Sequence, residues 1–236
     1  MNKPLALDVR DGRIVGLARE PRPSPEPGRA TNPLPAGPFA LILADPPWAF
    51  RTFNSAGRTP TQKKFNEAED HYATMSTADL KALPVGDIAA KDAVLAMWVV
   101  SSHFDAALEL GSAWGFSFTT DLFVWLKQKR IRPDQPDLFT GDIPPPPMSM
   151  GYYTRKQTES CWLFKRGKGL PVRDHSIRQL IVAAKTVHSR KPAEQYDRLD
   201  RLFGPSVSRV ELFARTSREG WTAWGNETGK FDGAQP

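Results

Sequence analysis

The stretch FALILA, Phe39–Ala44, holds six consecutive apolar residues and no polar one. A strand with one wet face alternates apolar and polar side chains, so an unbroken run marks a strand covered on both faces. Such strands need helices above and below the sheet. The rest of the chain offers both. DAVLAMWVV (92–100) and FSFTTDLFVWLK (116–127) read as strands, with a helix in SHFDAALELGSAWG (102–115) that Gly115 ends. STADLKALP gives a short helix capped by Ser76 or Thr77 and stopped before Pro84. ESCWLFKRG (159–167), QLIVAA (179–184), SRVELFAR (208–215) and WTAWGNE (221–227) read as further strands. KPAEQYDRLDRLFG (191–204) reads as a helix with Pro192 in its first turn and Gly204 at its end. The expected fold is α/β, a mostly parallel sheet with helices on both faces.

The N-terminal part breaks this pattern. LALDVRDGRIVGLA suits a hairpin turning at Asp11-Gly12, and the Pro/Gly-rich residues 21–38 favour no regular structure. Residues 1–38 are therefore expected to form an arm and linker, and residues 39–236 one domain.

In α/β sheets, ligands sit beyond the carboxyl ends of the strands. Asp45, Ser101, Lys127 and Arg215 fall at such ends. The net charge of +6 comes from basic segments at 51–64, 127–132 and 175–191, which favours a polyanionic partner. GYYTRKQT, followed by Glu159, is a basic and aromatic loop of the kind that tracks a nucleic-acid strand, and it offers Tyr153, Arg155 and Lys156. Cys161 is the single cysteine, which excludes an internal disulfide and a cysteine-based zinc knuckle and fits the reducing cytoplasm. No apolar run reaches the roughly 18 residues of a membrane span. Glycine-rich phosphate loops, zinc-ligand spacings and a G-x-S-x-G elbow are missing from the sequence, so no metal is expected.

What remains is Asp45-Pro46-Pro47-Trp48 at the end of the first buried strand. Prolines fix φ and remove donors, so the carbonyls beside Asp45 are expected to point outward as uncompeted acceptors. Trp48 offers a flat face on which a planar ring stacks. Together these suit an amino group on a flat heterocycle. Two acceptors on its N–H bonds aim the nitrogen and stabilise the positive charge that develops as it attacks an electrophile. S-adenosylmethionine is the methyl donor with the required electrophilicity.

Several blocks occur together in a familiar order: ADPPW, HYATMSTADLKALP, LAMWVV, WGFSFTTDLFVWLK, HSRKPAEQYDRLDRLF, and RVELFART with WTAWGNE. With them the chain resembles the MT-A70 family of adenine-N6 methyltransferases, from about Phe39 to Glu227. The resemblance implies a Rossmann-like methyltransferase fold of permuted element order, with the catalytic loop before the cofactor strand. It implies catalytic roles for Asp45, Pro46, Pro47 and Trp48 and a base-covering role for Tyr72. It places Lys191, Glu211, Phe213, Arg215, Asn226 and Glu227 around the cofactor, with Lys191 or Arg215 pairing the carboxylate of its methionine tail. Ser217-Arg218 stands where family members often carry His-Asn. The implied activity is N6-adenine methylation of DNA, with an RNA substrate or a non-catalytic binding subunit as alternatives. A homodimer or heterodimer is compatible with it.

Overall fold

The computed structural model describes residues 32–48, 74–128, 153–185, 190–230 and 232, and the backbone of 7–10 and 13–17. At the N-terminus, β1 (Leu7–Arg10) and β2 (Arg13–Leu17) pair antiparallel. The expected hairpin is present, and its turn lies outside the described residues.

The main sheet is built from β3 (Phe39–Ala44), β4 (Ala89–Val99), β5 (Ser117–Gln128), β6 (Thr158–Arg166), β7 (Leu180–Ala184), β8 (Arg209–Leu212) and β9 (Thr222–Trp224). Their spatial order is β7-β5-β6-β4-β3-β8-β9. β6 is antiparallel to both its neighbours, and every other pairing is parallel. Between β3 and β4 lie α1 (Thr77–Ala82) and the one-turn α2 (Val85–Ile88). A 3-10 turn (Ser101–His103) leads into α3 (Phe104–Ala113), and α4 (Glu194–Phe203) precedes β8.

The period of two in the strands sorts side chains onto two cores. Ile42 and Ala44 of β3 join Leu95, Met97 and the helix residues Leu80, Val85 and Leu110 on one face. Leu41 and Leu43 join Val94, Ala96 and, from α4, Leu199 and Phe203 on the other. Helices thus cover both faces, as the apolar strands require. β3 leads to β4 on one side of the sheet and β8 leads to β9 on the other, so the strand order reverses between β3 and β8. A ligand crevice belongs at the carboxyl ends of these two strands.

The structure departs from the sequence expectations at several ends. α4 begins at Glu194, three residues after Lys191, so Lys191 is not in its first turn. β8 stops at Leu212 because Phe213 adopts a left-handed φ of 63°, which breaks the ladder and turns the chain. α2 is not foreshadowed, since four residues are too few to show a helical period. Residues 32–38 form no strand or helix, yet they pack: Leu34 lies against the first core, and the Trp224 indole N–H donates to the Pro33 carbonyl at 2.9 Å.

Packing is close where α3 meets β6. A Cβ on Gly111 would lie 2.4 Å from the Phe164 ring, which is itself fully buried. Gly111→Ala is therefore expected to cost about 1–3 kcal/mol in denaturant unfolding. Unchanged stability would contradict this contact.

Candidate active site

A cleft of about 280 Å³ opens at the strand-order reversal, lined among others by Asp45, Trp98, Arg190, Lys191, Tyr196, Glu211, Phe213, Arg215 and Arg218. Asp45 leaves the end of β3 and is gripped by Lys191, whose Nζ lies 2.8 Å from Oδ2. The same Nζ lies 3.4 Å from Glu159 Oε2, and Lys127 Nζ lies 2.5 Å from Glu159 Oε1. Four charges of alternating sign thus run Asp45–Lys191–Glu159–Lys127 along the carboxyl edge of the sheet. Glu159 reaches this edge because β6 is antiparallel: its first residues meet the last residues of β5, with Trp125 opposite Glu159. Below the chain, Lys191 stands 5.6 Å over the Trp98 ring. The Trp98 indole N–H donates to Gln195 Oε1 at 2.6 Å, fixing the start of α4 against β4.

These charges set one another's protonation. Burial pushes the Asp45 carboxyl above its ordinary value, against the pull of Lys191. Burial also works against ionisation of Glu159, but Lys191 and Lys127 together outweigh it and hold that carboxyl at about 2.

On the neighbouring strand β8, Glu211 accepts the Tyr196 hydroxyl with both oxygens at 3.0 Å. Burial pushes the Glu211 carboxyl up to about 7, and the Asp45 charge adds to it, while the Tyr196 hydrogen bond pulls the other way. Tyr196 is raised further still by its own burial and by Glu211, so it remains a donor. Arg218 caps the Tyr196 ring at 4.4 Å and pairs with Asp197 at 3.4 Å. Arg215 Nε lies 3.2 Å from Glu227 Oε2, and Lys230 binds the other Glu227 oxygen. Gly225 passes so close to Ala214 that a Cβ would meet its carbonyl at 2.9 Å, which locks the turn around Phe213 to the end of β9.

Asp45, Lys191, Glu211, Phe213 and Arg215, separated by up to 170 positions, thus line one cleft. Other expectations need correction. Trp48 is 2% exposed and sits in the first core, its indole N–H donating to the Trp98 carbonyl at 3.3 Å, so it does not offer a stacking face. The proline carbonyls are not uncompeted either. Pro46 accepts from the Trp48 N–H at 2.8 Å and Pro47 from the Met75 N–H at 2.9 Å. The quartet is rigid because it is packed and bonded, and Asp45 is the acceptor it presents. Glu159 spends its carboxylate on two lysines rather than on a passing strand. Tyr153 and Arg155 are exposed, with Lys156 half-buried beside Glu159 and Lys127. Asn226 is exposed beyond β9, and Tyr72 lies outside the described residues. Tyr196 and Gln195 were missed as site residues, although their place in the first turn of the helix that follows Lys191 was the available signal. No group of metal-ligating side chains occurs among the described residues.

Comparison with known proteins bears directly on this cleft. Residues 39–227 match the MT-A70 family model. The chain belongs to the MT-A70 family. It is 32% identical over 205 residues to the type II methyltransferase M.MunI of Mycoplasma sp, covering 82% of this chain and 79% of the relative. It is 27% identical over 199 residues to the human N(6)-adenine-specific methyltransferase METTL4, covering 82% of this chain but 38% of that protein. The N6-methyladenosine RNA methyltransferase MTA1 of Cryphonectria parasitica is 29% identical over 198 residues, with 52% of its length covered. As a member of the MT-A70 family the chain is an N6-adenine methyltransferase, with a Rossmann-like methyltransferase fold. No helix of the described residues is long and apolar enough to cross a membrane.

Glu211 makes stability depend on pH. Between its unfolded value of 4.5 and about 7, the folded chain keeps a proton that the unfolded chain has lost, so stability falls as pH rises through that window. Glu159 acts at lower pH and in the opposite sense, its contribution being lost as pH falls from 4.5 toward about 2. Glu211→Gln is expected to flatten the decline in unfolding free energy from pH 5 to 7.5 by on the order of 1–3 kcal/mol, leaving the part owed to Asp45. An unchanged pH profile would contradict the burial of this carboxyl.

Proposed function

We propose that the chain transfers a methyl group from S-adenosylmethionine to N6 of adenine in DNA. The observation that carries this reading is the placement of Asp45 and Glu211 in one cleft, at the ends of the neighbouring strands β3 and β8 where the strand order reverses. The cleft suits the cofactor: Glu211 is a half-buried carboxylate whose one hydrogen-bond donor is a tyrosine among the described residues, which leaves capacity for ribose hydroxyls. Phe213 supplies an apolar wall, and the cleft holds cations that match a carboxylate tail. When bound, the cofactor supplies an electrophilic methyl group.

The protein's part is electrostatic. Lys191 takes one oxygen of Asp45 and aims the other, so that the carboxylate accepts an N–H bond of the target amino group. The positive charge that grows on that nitrogen meets a fixed negative group in a partly buried site, where such an interaction counts for more than in water. Burial raises the Asp45 carboxyl, so the ionised form it needs is lost earlier on acidification than for an exposed aspartate. Lys127 and Glu159 hold Lys191 in place and act as positioning residues. The target adenine reaches the cleft flipped out of its stack or already unpaired. Tyr72, Tyr153, Arg155 and Lys156 are the residues proposed to meet the strand, and the cytoplasm is the proposed location.

One observation favours DNA over RNA. The relative named here with the highest identity, and the only one of the three that this chain covers for more than two thirds, is a type II methyltransferase rather than the RNA-named one. The charge of +6 serves either polymer.

Asp45→Asn is expected to lower methyl transfer to an adenine-containing oligonucleotide by at least about 100-fold while cofactor affinity stays within a few-fold. Full activity in the variant would refute the assignment. Wild-type protein is expected to methylate a DNA oligonucleotide faster than its RNA counterpart, and the reverse order would move the substrate to RNA. Failure of the wild type to bind the cofactor in calorimetry would favour a non-catalytic subunit.

A further inference from the structure

The cations of the cleft are not equivalent. Lys191 is shared by Asp45 and Glu159, and with Lys127 these four residues carry no net charge. Arg215 is paired with Glu227, and Arg218 with Asp197. Arg190 also lines the cleft, half-buried, and among the described residues no carboxylate pairs with it. It directly precedes Lys191, the partner of Asp45, and lines the same cleft as Asp45 and Glu211.

A half-buried guanidinium is costly to leave unmatched, and its planar fork suits a carboxylate in two-point contact. The tail of a sulfonium donor carries one carboxylate a few bonds from the sulfur. Its reactive methyl must lie beside Asp45, so the tail ends close to that residue. Lys191 and Arg215, the cations expected from sequence to meet this carboxylate, already have carboxylate partners. We propose that Arg190 is the residue that receives the carboxylate of the cofactor's amino-acid tail. This rests on the cofactor reading above and adds to it which cation makes the contact.

Isothermal titration of the full chain separates the possibilities, with two ligands that share the nucleoside and differ in the tail. S-adenosylhomocysteine has the carboxylate, and 5′-methylthioadenosine lacks the whole amino-acid tail. Arg190→Gln is expected to weaken S-adenosylhomocysteine by about ten- to a hundredfold and to leave 5′-methylthioadenosine unchanged. Arg190→Lys, which keeps the charge, is expected to recover part of the loss. Thermal unfolding of each variant should match the wild type. Equal weakening of both ligands, or of neither, would overturn the assignment. So would a loss seen only with adenosine 5′-monophosphate against adenosine, which would give Arg190 to a substrate phosphate instead. If the wild type binds neither thioether, the cofactor reading itself fails and the subsite falls with it. A wild type that binds both ligands while the variant shows no difference sinks the subsite alone.

Discussion

Everything at the ligand edge of this sheet depends on the ion pair between Asp45 and Lys191. Neither residue is stable there alone. Burial penalises the Asp45 carboxylate, and a lysine with 13% side-chain exposure has given up most of its water. Removing Lys191 leaves the partly buried Asp45 carboxylate without its paired cation, at a cost of up to about 3–5 kcal/mol, whereas removing Asp45 leaves Lys191 paired with Glu159. The pair itself is worth far less, because desolvation offsets most of its Coulomb gain. What it provides is position. By extending through Glu159 to Lys127, it ties the ends of β3 and β5, the start of β6 and the approach to α4 into one edge. The hydrogen bonds of Trp48 to Trp98 and of Trp98 to Gln195 brace the same edge from within the cores.

The two carboxylates of the cleft then differ in kind. Near Asp45, opposite charges neutralise one another, which keeps a carboxylate ionised inside the protein. At Glu211 a carboxylate faces a tyrosine with no direct lysine or arginine pair among the described residues, and it holds its proton to about pH 7. A site that must orient an amino group needs the first arrangement. One that must accept hydroxyl groups tolerates the second, because binding itself supplies the donors.

Much of the architecture was legible because buried strands announce themselves. FALILA and DAVLAMWVV could not be half-wet strands, and the covered sheet followed. The glycine at 204 and the Ser76 cap marked helix ends that the structure confirms. Asp45, Lys191 and Glu211 could be named from motif order, but their contacts could not. Glu159 looked free for a substrate because sequence does not show that β6 runs backwards and brings its first turn to Lys127. Trp48 looked available because a tryptophan after two prolines carries no mark of burial; its partners, Met75 and Trp98, lie 27 and 50 positions away. Arg190 gave no signal at all beside Lys191. Its meaning comes only from the pairing of every other cation in the cleft.

The chemistry assigned to Asp45 fits an exocyclic amine, and adenine is not the only base that carries one. The most direct measurement is therefore nucleoside mass spectrometry of DNA incubated with the protein and S-adenosylmethionine. The expected product is N6-methyladenine as the one new modified base. Methylation of the cytosine amino group instead, or no methylated base under conditions where the cofactor binds, would contradict the assignment.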